Sequence, residues 1–322
     1  MLNRSLCLAL LLGLPLLAGC AARELYKGAD GPFAIGHADG LVLRDEVQAR
    51  DIPLRVAYPR APGRYPVVVF SHGAFCFPQQ YAAITDKWVA HGYVVVLPDH
   101  PDSPNNGTPL RPDQMGGLVA TRIADLNDIF SRLDEVAALA GIAGQLDTNR
   151  LAVAGHSFGA AIALSKAGLW MRTPDGGRQQ YLDSRIRGAV IMSGVGQMDD
   201  MMAPDAFTGL TTPLIATGGT LDVGNTGGPV IHPWEWRMSA FTLAPPGDKY
   251  SVVLERGDHY LGGLICRTDR GGDDDPEGAA IDAALTLAFL DAYVKQDPAA
   301  RRFLASTDIA ARTGGRARFS RK

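Results

Sequence analysis

Six short apolar runs constrain the fold of this 322-residue chain more than any other feature. They lie at 67–70, 93–97, 151–154, 189–192, 213–216 and 250–254, and carry almost no polar alternation. A strand with one wet face alternates apolar and polar residues, so runs like these belong to strands buried on both faces. Between them, residues 79–91 and 118–140 show apolar positions at helical spacing. A last such segment, 281–294, follows the cap-like Asp275-Pro276-Glu277. Strands separated by helices pair in parallel. Two earlier runs, 41–43 and 52–58, read as two early strands and end in a Pro- and Gly-rich turn. The expected architecture is α/β, a mostly parallel sheet of about eight strands with helices on both faces.

In such sheets ligands sit beyond the carboxyl ends of the strands, which directs attention to the residues after each run. After 151–154 comes Gly155-His156-Ser157-Phe158-Gly159, then a helix of small residues. A serine presented on so tight a strand–helix turn needs neighbours without bulk two positions away, and the glycines meet that need. The N–H of Phe158, at the helix start, would face an oxygen gaining charge. A serine hydroxyl is a poor nucleophile until a base takes its proton, and imidazole suits neutral pH. His259 lies beyond the last run and Asp222 beyond the run before it, so Ser157, Asp222 and His259 are the candidate nucleophile, acid and base. His232 competes for the base, and Asp199 or Asp200 for the acid. Asp258 adjoins His259 too closely to orient its ring, and His72 and His156 read as structural. After 67–70, Gly73 permits close backbone approach, so the Ala74 N–H is the candidate second donor to the oxyanion.

Together these segments resemble the α/β-hydrolase superfamily over about 41–294. Within it they are most similar to bacterial predicted dienelactone hydrolases, platelet-activating-factor-acetylhydrolase-like esterases and polyester hydrolases. The likeness rests on Phe70-Ser71-His72-Gly73 with His91-Gly92-Tyr93 and Pro98-Asp99-His100, on the Ser157 pentapeptide, and on Thr217-Gly218-Gly219-Thr220-Leu221-Asp222 with Gly257-Asp258-His259. It implies an α/β-hydrolase fold and hydrolysis of a small-molecule or lipid-like carboxylic ester through a serine acyl-enzyme, with no metal or organic cofactor. Dienelactone hydrolases use a cysteine nucleophile, where this chain has Ser157. The acetylhydrolases take their acid from the end of the preceding strand, where this chain has Ser193, and that favours Asp222. The same apparatus serves thioesterases and peptidases, and the fold alone could serve binding in a non-catalytic lipoprotein.

The first residues read as an address. One positive charge, a short apolar run and Leu17-Ala18-Gly19-Cys20 describe a secretory signal peptide, too short for an ordinary spanning helix. Leu-Ala-Gly-Cys at this position resembles the lipobox of bacterial lipoproteins. That implies cleavage before Cys20, lipid on its sulfur, and a mature chain anchored to a membrane of the cell envelope, facing the periplasm or exterior. The organisation is then a signal peptide over 1–19, a tether over 20–35, a catalytic domain over 36–298 and a partly disordered basic extension over 299–322. Of four cysteines, three remain after processing, Cys20 with its lipid and the two spare ones Cys76 and Cys266, and an oxidising compartment suggests that the spare two pair. With 31 basic and 34 acidic residues, a formal charge of −3, no global basic field recruits nucleic acid. Met198, Met201, Met202 and Phe207, and likewise Trp234 and Trp236, read either as pocket wall or as packing. Asp273-Asp274-Asp275 reads as a solvated run into a helix cap, with no metal expected.

Overall fold

The computed structural model describes residues 25–27, 30–107, 117–173, 175–225, 230–267 and 273–322. The expected signal peptide and Cys20 lie outside them. The first half of the chain supplies β1 (Ile35–Asp45), β2 (Arg50–Pro59), β3 (Tyr65–Ser71), α1 (Ala82–Ala90), β4 (Val94–Pro98), α2 (Leu118–Ser131), α3 (Leu133–Leu139), β5 (Leu146–His156) and α4 (Phe158–Lys166). A small hairpin of β6 (Trp170–Arg172) and β7 (Arg178–Gln180) follows, then β8 (Ile186–Met192), β9 (Leu214–Gly219) and a second hairpin of β10 (Gly224–Asn225) and β11 (Ile231–His232). The chain continues through α5 (Ser239–Thr242), β12 (Lys249–Leu254), α6 (Pro276–Tyr293), α7 (Pro298–Ser306), α8 (Ile309–Arg312) and β13 (Ala317–Arg321).

Nine of these strands form one sheet in the order β1-β2-β4-β3-β5-β8-β9-β12-β13. The six central strands run parallel, while β1, β2 and β13 add antiparallel pairs at the edges. Every residue of β3 and β4 is buried. Alternate positions go to opposite layers: Val67, Val69, Val94, Val96 and Val153 join the core under α2, α3 and α4. Val68, Phe70, Val95, Leu97 and Ala154 join the core under α1 and α6. Two apolar layers are what unbroken β-branched runs require, because neither side of the pleat meets water. This is an α/β-hydrolase fold.

Two boundaries differ from expectation. The helix over 118–140 is two, broken at Arg132, whose φ of −125° and ψ of 33° leave the helical region. Both pieces keep their apolar faces on one core, so a continuous pattern spans a broken backbone. The extension over 299–322, read as partly disordered, is ordered. Asp297 caps α7 through the Ala299 N–H at 2.8 Å, and β13 pairs with β12 from Tyr250–Arg321 to Leu254–Ala317. The arginines that made the tail look like a solvated basic run are tied down: Arg316 to Asp275 and the Glu255 carbonyl, Arg318 to Glu255 at 2.5 Å. Described parts of the tether are docked as well. Tyr26 lies against Phe303 with ring centroids 4.8 Å apart and donates to Asp291 at 3.0 Å.

Asp275 caps α6 by accepting from the Gly278 N–H at 2.9 Å, with Pro276 at the first position. Nearly the whole of α6 is buried, yet no described helix is long and apolar enough to cross a membrane. Without β13, the edge of β12 would offer a row of unpaired backbone groups. Ending the chain at Arg312 is therefore expected to lower the thermal midpoint by about 5 °C or more and to promote self-association. Melting curves and gel filtration check this; an unchanged midpoint in a monodisperse truncation would contradict it.

Candidate active site

At the end of β5 the chain enters α4 in one step, with Ser157 alone in the turn at φ 54° and ψ −120°. A side chain rarely adopts that region, and the neighbours show why it holds here. A Cβ on Gly155 would collide with the Gly159 carbonyl, and one on Gly159 with the carbonyls of Ser71 and His72. Gly159 thus lets α4 press on the end of β3, which brings the serine beside the loop after that strand. The Ser157 N–H bonds to the Met192 carbonyl at 3.0 Å, fixing the turn to β8.

Ser157 Oγ lies 2.9 Å from His259 Nε2, and His259 Nδ1 lies 2.7 Å from Asp222 Oδ1. The carboxylate can only accept, so Nδ1 carries the proton and Nε2 is free to take one from the serine. Asp222 is buried at the end of the β9 turn, where Leu221 N–H bonds to the Gly257 carbonyl at 2.9 Å. Burial pushes its carboxyl up, but the His259 hydrogen bond and the charges of His259 and Arg237 outweigh this and hold it below the usual carboxylate range. Arg237, which sequence reasoning missed, is buried and donates Nε–H to Asp222 Oδ1 at 3.0 Å.

The competitors lie elsewhere. His232 stacks on Trp236 at 4.6 Å, Asp199 and Asp200 are exposed, and Asp258 accepts the N–H groups of Tyr260 and Gly262. Met201, Met202 and Phe207 are buried in the core, with Met198, Trp234 and Trp236 packed against it. A cavity of about 590 Å³ opens over Ser157 and His259, walled by Ala74, Phe75, Leu221, Val223 and Arg237 among others. None of the methionines or tryptophans in question is part of that wall, so packing is what they do.

Ala74 lines the cavity, and Phe158 is the first residue of α4, where N–H groups have no intrahelical acceptor. The loop carrying Ala74 is held from behind by Arg122, fully buried, which donates to the His72 carbonyl at 2.6 Å and the Gly73 carbonyl at 3.3 Å. Asp102 takes the rest of that guanidinium at 2.6 Å and also accepts the Phe75 N–H at 2.9 Å. Burial and then the Arg122 charge push His72 down to about 3, so it stays neutral; Nδ1–H donates to the Gly73 carbonyl at 2.7 Å. Deeper still, Ser71, His100 and Asp125 form a second Ser-His-Asp line, at 2.9 and 2.7 Å, sealed from solvent. The signal for this network was faint: Arg122 and Asp125 are charges on the apolar face of α2.

Cys76 and Cys266, 190 residues apart with Cα atoms 5.1 Å apart, are joined in a disulfide beside the cavity. Among the described residues no group of three His, Cys, Asp or Glu could hold a metal ion.

A family model described as chlorophyllase matches residues 33–172, a span holding Ala74, Ser157 and Phe158 but ending before Asp222 and His259. Chlorophyllase type 0 of Chenopodium album is 27% identical over 137 residues, 42% of this chain and 38% of the relative. The match therefore spans well under half the length of that curated relative. Both likenesses point to an α/β-hydrolase-type esterase, though to a different group from the three that the motifs resemble.

Asp282 on α6 lies beneath Thr217 of β9, buried, with one carboxyl oxygen unpaired. Burial pushes its carboxyl up to about 7. A raised carboxyl favours the folded state fully below the unfolded value near 4, and that stability is lost as pH rises through about 7. Asp282→Asn is expected to match the parent near pH 4 and to be more stable by about 2–4 kcal/mol at pH 8. Urea unfolding at the two pH values checks this; equal stability at pH 8 would contradict it.

Proposed function

We propose that the chain is a serine carboxylic-ester hydrolase working through Ser157, His259 and Asp222. One observation carries the reading, the unbroken hydrogen-bonded line from the Ser157 hydroxyl through His259 to Asp222. His259 takes the Ser157 proton as the oxygen attacks the ester carbonyl. The N–H groups of Ala74 and Phe158 receive the oxyanion, each contributing about 3 kcal/mol in comparable sites. The alcohol leaves with the proton from His259, and water then releases the acid by the same route. Asp222 keeps the imidazole in the right tautomer and stabilises its cationic form, while Arg237 holds the carboxylate still.

Hydrolysis of an ester rather than a peptide is favoured by what the matches share. The chlorophyllase likeness and the motif resemblance to dienelactone hydrolases, acetylhydrolases and polyester hydrolases all belong to ester chemistry. Ser157→Ala is expected to cut p-nitrophenyl butyrate turnover by about a thousandfold or more and to abolish labelling by a fluorophosphonate, with an unchanged melting point. A parent protein that fails to label would make the fold a binding scaffold instead.

We also propose that the mature chain is lipid-anchored at Cys20, on the strength of Leu17-Ala18-Gly19-Cys20 at the end of a short apolar run. Two or three acyl chains suffice for firm anchoring. Expressed in a bacterium fed an alkynyl fatty acid, the parent is expected to take up label and Cys20→Ser to lose it. Equal labelling of both proteins would refute the anchor.

A further inference from the structure

Three hydrogen bonds run from the loop after β3 to the main chain of His259 through two side chains with no part in the chemistry above. The Gly73 N–H donates to Tyr81 Oη at 2.8 Å. Tyr81 Oη lies 3.0 Å from His156 Nδ1, and His156 Nε2 lies 2.9 Å from the His259 carbonyl. Both side chains are fully buried.

One proton arrangement satisfies all three contacts. The tyrosine oxygen already receives the Gly73 N–H, so its own proton goes to Nδ1. A carbonyl only accepts, so Nε2 carries the ring proton. Burial, followed by the neighbouring His259 charge, holds His156 well below the usual histidine value, and burial holds the Tyr81 hydroxyl well above its own. Each group therefore keeps the single proton the line needs.

The placement is informative. The line starts one residue before Ala74, passes through the residue before Ser157, and ends on His259 itself. It thus ties the ends of β3, β5 and β12 by side chains. A Cβ on Gly73 would sit 3.0 Å from His156 Nδ1 and 3.1 Å from Tyr81 Oη, so glycine here leaves room for the line as well as for the loop. The His156 ring also packs on the His259 ring at 4.7 Å.

We infer that Tyr81 and His156 are positioning residues that set the distance between the oxyanion loop and the catalytic histidine. The inference rests on the serine-hydrolase reading. Neither residue touches substrate, so their removal is expected to act on turnover rather than binding. Displacements well below 1 Å suffice, because catalytic geometry is that sensitive.

The test is Tyr81→Phe, which keeps the ring in the core and deletes only the hydroxyl, with turnover expressed per fluorophosphonate-titrated site. The expected result is a fall in kcat on p-nitrophenyl butyrate of about tenfold or more, with KM changed less than twofold. His156→Gln is expected to do the same, and the double variant to be no slower than the slower single one, since both break one line. A kcat within twofold of the parent for Tyr81→Phe overturns the inference, as does a loss confined to KM. Should Tyr81→Phe not fold, the same criteria apply to His156→Gln. A parent that does not label with fluorophosphonate fails the serine-hydrolase reading instead, so the two failures are distinct.

Discussion

The site depends on a backbone contact: α4 lies so close to the end of β3 that only hydrogen fits on Gly159 between them. That approach forces the turn at Ser157 into a region that costs roughly 1–3 kcal/mol for a residue with a side chain. The cost is offset because β5 is a central strand, paired on both sides and buried where it leads into the turn. Strain in so rigid a frame does not relax by local movement. The Ser157 hydroxyl is therefore held out toward the cavity, and Asp222 and His259 reach it from the ends of β9 and β12, beyond the neighbouring β8.

Around this turn the protein buries charge in a way that favours geometry over stability. Arg122 with Asp102, and Arg237 with Asp222, are pairs withdrawn from water. Desolvation takes back most of what such pairs gain by attraction, so they are poor sources of net stability. Their hydrogen bonds have fixed directions, however. Arg122 holds two successive carbonyls, of His72 and Gly73, and so dictates which way the Gly73 and Ala74 N–H groups in the same peptide planes can point. An apolar residue of equal size would fill the space and leave the loop free to rotate its peptides.

The parallel core was legible in the sequence because burial on both faces leaves a mark on composition: Val67, Val68, Val69 and Val94, Val95, Val96 have no polar alternation to confuse them. The residues of the turn at Ser157 were legible for a similar reason, since Gly155 and Gly159 answer a steric demand at fixed spacing. The tail was not. In β13 only Ala317 and Phe319 turn inward, and Arg316 and Arg318 suggest a solvated segment unless their partners, Asp275 and Glu255, are known to be close. The supporting residues escaped for the same cause. Tyr81, Arg122 and Arg237 earn their positions from contacts 8, 20 and 15 residues away or more, and no local pattern encodes such contacts.

The loops that meet over the cavity come from distant parts of the chain, and loops of this kind are ordinarily its loosest segments. Here they are cross-linked by three physically different ties. The disulfide joins Cys76, just past the loop that carries Ala74, to Cys266, just past His259. The Tyr81–His156 line joins the same two regions from the buried side. Arg122 holds the Ala74 loop to Asp102 and, through its guanidinium 4.8 Å from the Phe158 ring, faces the start of α4. A covalent bond limits separation but permits rotation, whereas directed hydrogen bonds limit rotation but break singly. Combining them constrains both, and the oxyanion site proposed at Ala74 and Phe158 would need both, because its donors must already point at the oxygen when the charge arrives.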